Sequence, residues 1–351
     1  MRARGAKDNP PNRFERLSYE PSEEPWEAGE PAPDPRTELL KDPSRTIVAT
    51  NSSPDIGFDA SVNPYRGCEH GCIYCYARPT HEYLGFSAGL DFETRILVKE
   101  RAPELLRQKL ASSRWKPQVL VMSGVTDPYQ PAERQLEITR RCLEVLAEFR
   151  NPVSIITKSW LVTRDLDVLG VLARHHAVSV AISVTTLDPQ LQHVMEPRAS
   201  RPAKRLAAVE TLAREGIPVG VMVAPVIPGL TDHEIPSIVE AAGRARAAFA
   251  SKVLLRLPHG LGPLLEDWLE EHFPERKEKV LNRMRALRGG RLYDPRFRVR
   301  QTGEGLFADQ IEGLFAMACR RAGLRRQGPT LSVEAFRRAG TAGNTQLELF
   351  S

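Results

Sequence analysis

From residue 60 to about residue 260, short apolar runs alternate with longer amphipathic stretches. Six runs are rich in Val and Ile: ASVNPY (60–65), PQVLVMS (117–123), PVSIIT (152–157), AVSVAISV (177–184), PVGVMVA (218–224) and KVLLRL (252–257). They are mostly continuous rather than alternating, which suits strands buried on both faces of a parallel sheet. Between them, residues 132–149, 164–175, 203–216 and 232–249 carry apolar positions at helical spacing. Thr163 and Asp232 stand where they would cap a helix, and Gly216 where it would end one. Six strand–helix units in series predict an α/β fold. Six units suggest an open, partial barrel of the TIM type, or alternatively a doubly wound sheet. Both place functional groups just after the strands. There the chain has Cys68, SGVTDPYQP (123–131), TKS (157–159), SVTTLD (183–188) and APVIPGLTD (224–232).

The flanks read differently. Residues 1–44 are rich in Pro and acids, a composition that predicts disorder. Residues 45–60 read as an ordered lead-in to a barrel over 45–260. Residues 261–325 read as a helical, basic extension able to cover the barrel's open side, and 326–351 as a flexible tail.

Charge sharpens that division. The chain of 351 residues has net charge +5, yet Pro274–Arg338 alone holds 16 Lys and Arg against 7 Asp and Glu. The basic character is therefore C-terminal and permits an anionic partner. No run approaches the ~18 apolar residues of a membrane span. The first residues lack an apolar secretory core. A cytoplasmic protein with no membrane partner is expected, and clustered thiols there read as metal-binding or catalytic rather than as disulfides. Five cysteines, an odd number, fit that expectation.

Three of them fall within NPYRGCEHGCIYCY (63–76), at Cys68, Cys72 and Cys75. Unrelated core thiols are one reading. A structural zinc site completed by His70 or His81 is a second. A [4Fe–4S] cube held by three thiolates, with its fourth iron open to a ligand, is a third; such cubes ordinarily take four cysteines. Cys142 and Cys319 lie in helical patterns and read as buried and inert.

The Cys-x3-Cys-x2-Cys spacing, with Tyr74 before the third cysteine and the motif just after the first strand, resembles the radical S-adenosylmethionine (SAM) superfamily. NPYRGCEHGCIYCYARP, SGVTDPYQPAE, AISVTTLD, EPRA and PVGVMVAPVIPGLTD resemble its spore photoproduct lyase-like group, also described as DNA repair photolyase-like, and within it an uncharacterised bacterial branch. The resemblance implies a partial (βα)6 barrel whose Cys68, Cys72 and Cys75 hold a [4Fe–4S] cluster. It implies that SAM binds the open iron and is cleaved by one electron to methionine and a 5′-deoxyadenosyl radical. An electron donor such as flavodoxin or ferredoxin is then required. Residues carried over to cofactor binding are Tyr74, Ser123, Lys158, Ser183, Arg198 and Ile227, with Gly229 beside Ile227 in the adenine loop. Asp127 could supply a carboxylate, and Glu196 and Arg198 either pair with each other or reach SAM. Tyr76 and Tyr129 are the candidates for a catalytic radical or hydrogen relay. Met122–Ser123 stands where spore photoproduct lyases carry a hydrogen-donor cysteine, which argues against that particular reaction.

The last residues are NTQLELFS. Gln346, Leu347, Leu349 and Phe350 resemble the peptide by which bacterial repair proteins bind the sliding clamp. With the basic extension, this tilts the expected substrate toward damaged or modified DNA. Radical chemistry on tRNA, protein or a small molecule is the alternative, and a non-catalytic nucleic-acid module a third.

Overall fold

A computed structural model describes residues 4–15 and 36–338. Ten strands occur in them: β1 (Glu38–Lys41), β2 (Val48–Thr50), β3 (Ala60–Val62), β4 (Tyr65–Arg66), β5 (Arg95–Val98), β6 (Leu120–Met122), β7 (Val153–Thr157), β8 (Val178–Ser183), β9 (Val219–Val226) and β10 (Phe249–Leu254). The main sheet runs β10-β9-β8-β7-β6-β3-β2, and β1-β5-β4 form a small second sheet. From β3 to β10 the main sheet is parallel, and each strand pairs with its neighbour in sequence; only β2 is antiparallel. A doubly wound sheet reverses its strand order at a switch point. This order never reverses, so the fold is a six-unit partial barrel. The continuous apolar runs have the cause expected of them: β6 and β8 are buried at every position.

The boundaries move in three places. The sixth strand begins at Phe249 rather than Lys252, because the preceding helix ends at Arg244 and Ala248 N–H already donates to Val219 O. The helix expected over 132–149 breaks at Glu137, whose φ is +50°. There Glu133 turns its carboxylate onto the N–H groups of Thr139 and Arg140, capping the second segment. Thr163 and Asp232 do not cap: Thr163 bonds Trp160 O, and Asp232 pairs with Arg283 and accepts from Gly229 N–H. Gly216 does follow its helix, at φ +70°.

The barrel's open side lies between β2 and β10, and the C-terminal extension covers it. Leu254 N–H donates to Gln301 O at 3.0 Å, while Arg300 pairs with Asp55, which also accepts from Arg298 N–H. Helix Leu306–Ala322 packs on helix Ile235–Arg244, where Gly243 leaves room only for Ala322. Much of the extension's positive charge is used internally, since Lys277, Arg283, Arg296, Arg300 and Arg326 all pair with carboxylates.

Both ends of the described chain correct the expected disorder. Residues 4–15 lie against the cysteine loop: Leu90 N–H bonds Asp8 O, and Arg13 pairs with Glu82. Residues 38–41 form β1 rather than tail. Towards the C-terminus, Ser332 N–H bonds His176 O, Arg337 N–H bonds Phe149 O, and the Phe336 ring stands 6.3 Å from that of Phe149. The clamp-like residues Gln346, Leu347, Leu349 and Phe350 lie outside the described residues. Among those described, no helix is long and apolar enough to cross a membrane.

Candidate functional site

The cysteine loop leaves β4 at the mouth of the barrel. Two glycines shape it. A Cβ on Gly67 (φ +81°) would stand 2.9 Å from the His81 ring, and one on Gly71 (φ +67°) 2.6 Å from the Glu93 carboxylate. The loop backbone is pinned from two sides, Cys68 N–H to Phe92 O (2.9 Å) and Ile73 N–H to Met195 O (3.1 Å), and closes on itself through Cys75 N–H to Cys72 O (3.2 Å). Arg78 is fully buried inside the loop, where it donates to Cys72 O, Ala88 O and Gly89 O and pairs with Glu93. Glu93 in turn accepts from Gly5 and Ala6 N–H. The N-terminal segment, the loop and this buried ion pair are thus one unit.

Cys68, Cys72 and Cys75 line a single cavity of about 920 Å³. Burial pushes the Cys68 thiol well up, and Asp127, Cys72 and Cys75 add to the rise. Burial, with Glu196 adding and Lys158 opposing, pushes Cys72 up to about 12. Three thiols that repel one another as thiolates form a site completed by a cationic load, whose binding expels their protons. Among the described residues, no three His, Cys, Asp or Glu side chains converge on a single-ion position. The three thiols line one shared space.

The same cavity collects Tyr74, Tyr76, Ser123, Lys158 and Ser183. Asp127 organises the ends of β6 and β7. Its carboxylate accepts from Thr157 Oγ1 (2.7 Å), Lys158 N–H (2.8 Å) and Tyr129 N–H (2.9 Å) and lies 3.3 Å from His70 Nδ1. Burial raises its pKa, but His70 and the hydrogen bonds outweigh that and hold it at about 2. The Lys158 ammonium sits 5.8 Å above the Tyr74 ring, and among the described residues no carboxylate is within ion-pair distance of it. Ser123 has φ +152° and Gly124 φ +121°, so the turn after β6 bares backbone to the cavity.

Tyr74 faces a buried charge centre. Its hydroxyl donates to Glu196, which also accepts from Thr185 Oγ1 at 2.7 Å and pairs with the equally buried Arg205. Arg205 reaches on to the carbonyls of Ser183 (3.1 Å) and Ser200 (2.6 Å). Sequence reasoning missed Arg205, although a signal was there: with Ala208, Val209 and Leu212 it falls on the buried face of its helix. Arg78 and Glu93 gave no such signal, being joined only in the fold.

Several expected site residues stand elsewhere. Tyr129 is fully buried outside the cavity lining, and its hydroxyl donates to Asp165 at 3.0 Å. Arg198 pairs with Glu69 (2.9 Å) and reaches Thr37 Oγ1; it neither pairs with Glu196 nor lines the cavity. Ile227 sinks into a second apolar cluster with Leu255, Leu257 and Trp268, leaving Met222, Ala224 and Pro225 as the β9 wall of the cavity. Gly229 packs closely against Arg283 and does not line the cavity. Cys142 and Cys319 are buried in helices, as expected.

Known proteins match this arrangement. The Radical SAM superfamily signature covers residues 62–242. An uncharacterized protein of Mycobacterium tuberculosis is 37% identical over 257 residues, which is 71% of this chain and 74% of the relative. The Radical SAM Nalpha-GlyT isomerase of Pseudomonas phage M6 is 28% identical over 178 residues, 49% of this chain and 34% of that protein. Among solved structures, a spore photoproduct lyase complexed with dinucleoside spore photoproduct shares the fold with TM-score 0.59 at 15% identity, over 81% of this chain and 79% of that one. Barrel, cysteine loop and matched signature coincide, and the chain is an enzyme of the radical SAM superfamily.

Proposed function

We propose that the enzyme holds a [4Fe–4S] cluster on Cys68, Cys72 and Cys75, binds SAM beside it, and acts on damaged or modified DNA. One observation carries the cofactor reading: the buried Cys68 and Cys72 and the half-buried Cys75 share a cavity with the Lys158 ammonium, which has no carboxylate within ion-pair distance among the described residues. When bound, the cluster supplies the electron, drawn from a flavodoxin- or ferredoxin-like donor, that splits SAM into methionine and a hydrogen-abstracting radical.

The chain's own residues do the rest. Lys158 offers a charge-assisted bond to a carboxylate. Glu196, fixed by Arg205, holds the Tyr74 ring against the thiols. Ser123 and Gly124 bare the β6 turn, and Ser183 lines the cavity floor. Tyr76 stands at the rim, its hydroxyl 2.6 Å from Gly124 O, the one tyrosine of the relay pair with access to a substrate.

The DNA reading draws on the neighbour structure that contains a dinucleoside photoproduct and on the basic extension beside the mouth. The deciding experiment is anaerobic. Protein reconstituted with iron and sulfide receives dithionite and SAM, and 5′-deoxyadenosine is quantified with and without ultraviolet-treated oligonucleotide. Product that requires Cys75 and rises with the oligonucleotide supports the whole reading. Product indifferent to DNA retains the chemistry and removes the substrate. Bound zinc without iron overturns both.

A further inference from the structure

The cavity's charged groups are matched in pairs, with two exceptions. Asp55 takes Arg300, Asp127 takes His70, and Lys252 reaches out of the cavity to Glu312 at 2.9 Å. Lys158 and Arg256 are left. Lys158 stands at the thiol end and is accounted for above. Arg256 follows β10 and presents its guanidinium 4.3 Å from the centre of the Tyr76 ring. It has no hydrogen bond or ion pair among the described residues.

Its placement is built rather than incidental. Tyr76 is 45% exposed, and its hydroxyl is tied to Gly124 O, so the ring under Arg256 is held in place. Behind it, Arg288 of the C-terminal extension is fully buried and donates to the carbonyl of Leu255, the residue before Arg256. Among the described residues, Arg288 Nε has no hydrogen-bond partner. Burial pulls the Arg288 pKa down to about 10, and Arg256 adds to the fall. Arg256 thus keeps a guanidinium at the cavity lining that no carboxylate among the described residues neutralises.

We propose that Arg256, stacked on Tyr76 and braced by Arg288, is a subsite for a phosphodiester of the nucleotide substrate, presented to the thiol end of the same cavity. A planar guanidinium matches phosphate oxygens in a two-pronged geometry. A ring covered by a cation on one face offers its other face to a base. The site therefore takes an anionic backbone and its adjoining base together. The proposal rests on the nucleic-acid reading and deepens it.

The test uses the full-length reconstituted protein, three probes and two variants. The probes are thymidylyl-(3′→5′)-thymidine, its uncharged methylphosphonate analogue and inorganic pyrophosphate; the variants are Arg256→Gln and Arg256→Lys. Binding is read by calorimetry, with the thermal melt and iron content of each variant as folding controls. Arg256→Gln is expected to weaken the diester at least about tenfold, the scale of a hydrogen bond to a charged group. The methylphosphonate is expected to lose little, and Arg256→Lys to recover part of the diester affinity. Equal losses for diester and analogue, or none, overturn the subsite while wild-type binding keeps the nucleic-acid reading. Pyrophosphate binding that depends on Arg256, without binding of either dinucleotide, keeps the anion subsite and removes the nucleic-acid reading. Binding of no probe by the wild type overturns both.

Discussion

Glu196→Gln is the sharpest perturbation of the buried charge centre. The amide keeps the carboxylate's shape and can still accept from Tyr74 and Thr185. It removes the charge that Arg205 was buried against. Breaking one partner of a buried pair leaves an uncompensated ion and costs about 3–5 kcal/mol. A second route to the magnitude uses protonation. Burial raises the Glu196 pKa, but Arg205, Lys158 and the hydrogen bonds outweigh it and hold it at about 2, against an ordinary 4.5. At ~1.4 kcal/mol per pKa unit, that difference contributes ~3 kcal/mol at neutral pH. The folded pKa is depressed, so this stability is present above about 4.5 and lost as the pH falls from there towards 2. Urea denaturation of the metal-free protein should show the variant less stable by about 3–5 kcal/mol near neutrality. The gap between wild type and variant should shrink from pH ~4.5 downwards and close as the pH approaches ~2. A deficit under ~1 kcal/mol, or a gap that stays constant with pH, would refute the reasoning.

Other consequences are as direct. Lys158→Ala should weaken SAM binding about tenfold or more while iron content stays at wild type; unchanged SAM affinity removes Lys158 from the site. Tyr129→Phe should cost ~1 kcal/mol of stability, one buried hydrogen bond, and leave 5′-deoxyadenosine formation intact; loss of product would restore it as a relay. Deleting residues 346–351 should abolish retention on immobilised sliding clamp without altering the melt, and retention by the truncated chain would dismiss the tail peptide.

The barrel was legible because each strand is a local apolar run, and its neighbour in the sheet is the next such run. Strand order then decided between a partial barrel and a doubly wound sheet, which no single run could do. The cysteine motif was legible for the same reason, since its spacing is carried within eight residues. Residues placed by analogy fared unevenly. Ser123 and Lys158 directly follow β6 and β7, Ser183 ends β8, Tyr74 lies within the cysteine motif, and all four reach the cavity. Arg198 lies beyond the helix that follows β8 and Ile227 directly after β9, and packing decides the direction of both: Glu69 captures one and an apolar cluster the other. The ordered termini were hidden because polar, Pro-rich composition reports a lack of self-burial and says nothing about docking on another segment. Gly5 and Ala6 dock through backbone N–H groups, which leave no trace in side-chain pattern.

The pinning of the cysteine loop has a consequence for biosynthesis. Its motif spans residues 68–75, yet its backbone partners include Phe92 and Met195. A nascent chain that has emerged only past Cys75 holds all three thiols and none of these supports. The donors come into register only once the fourth parallel strand, β8, and the helix after it have been made. Such long-range closure is slow to form. On the cluster reading proposed above, loading waits until four of the six barrel strands have been made, and a truncation before Met195 keeps the complete motif without the carbonyl that pins Ile73.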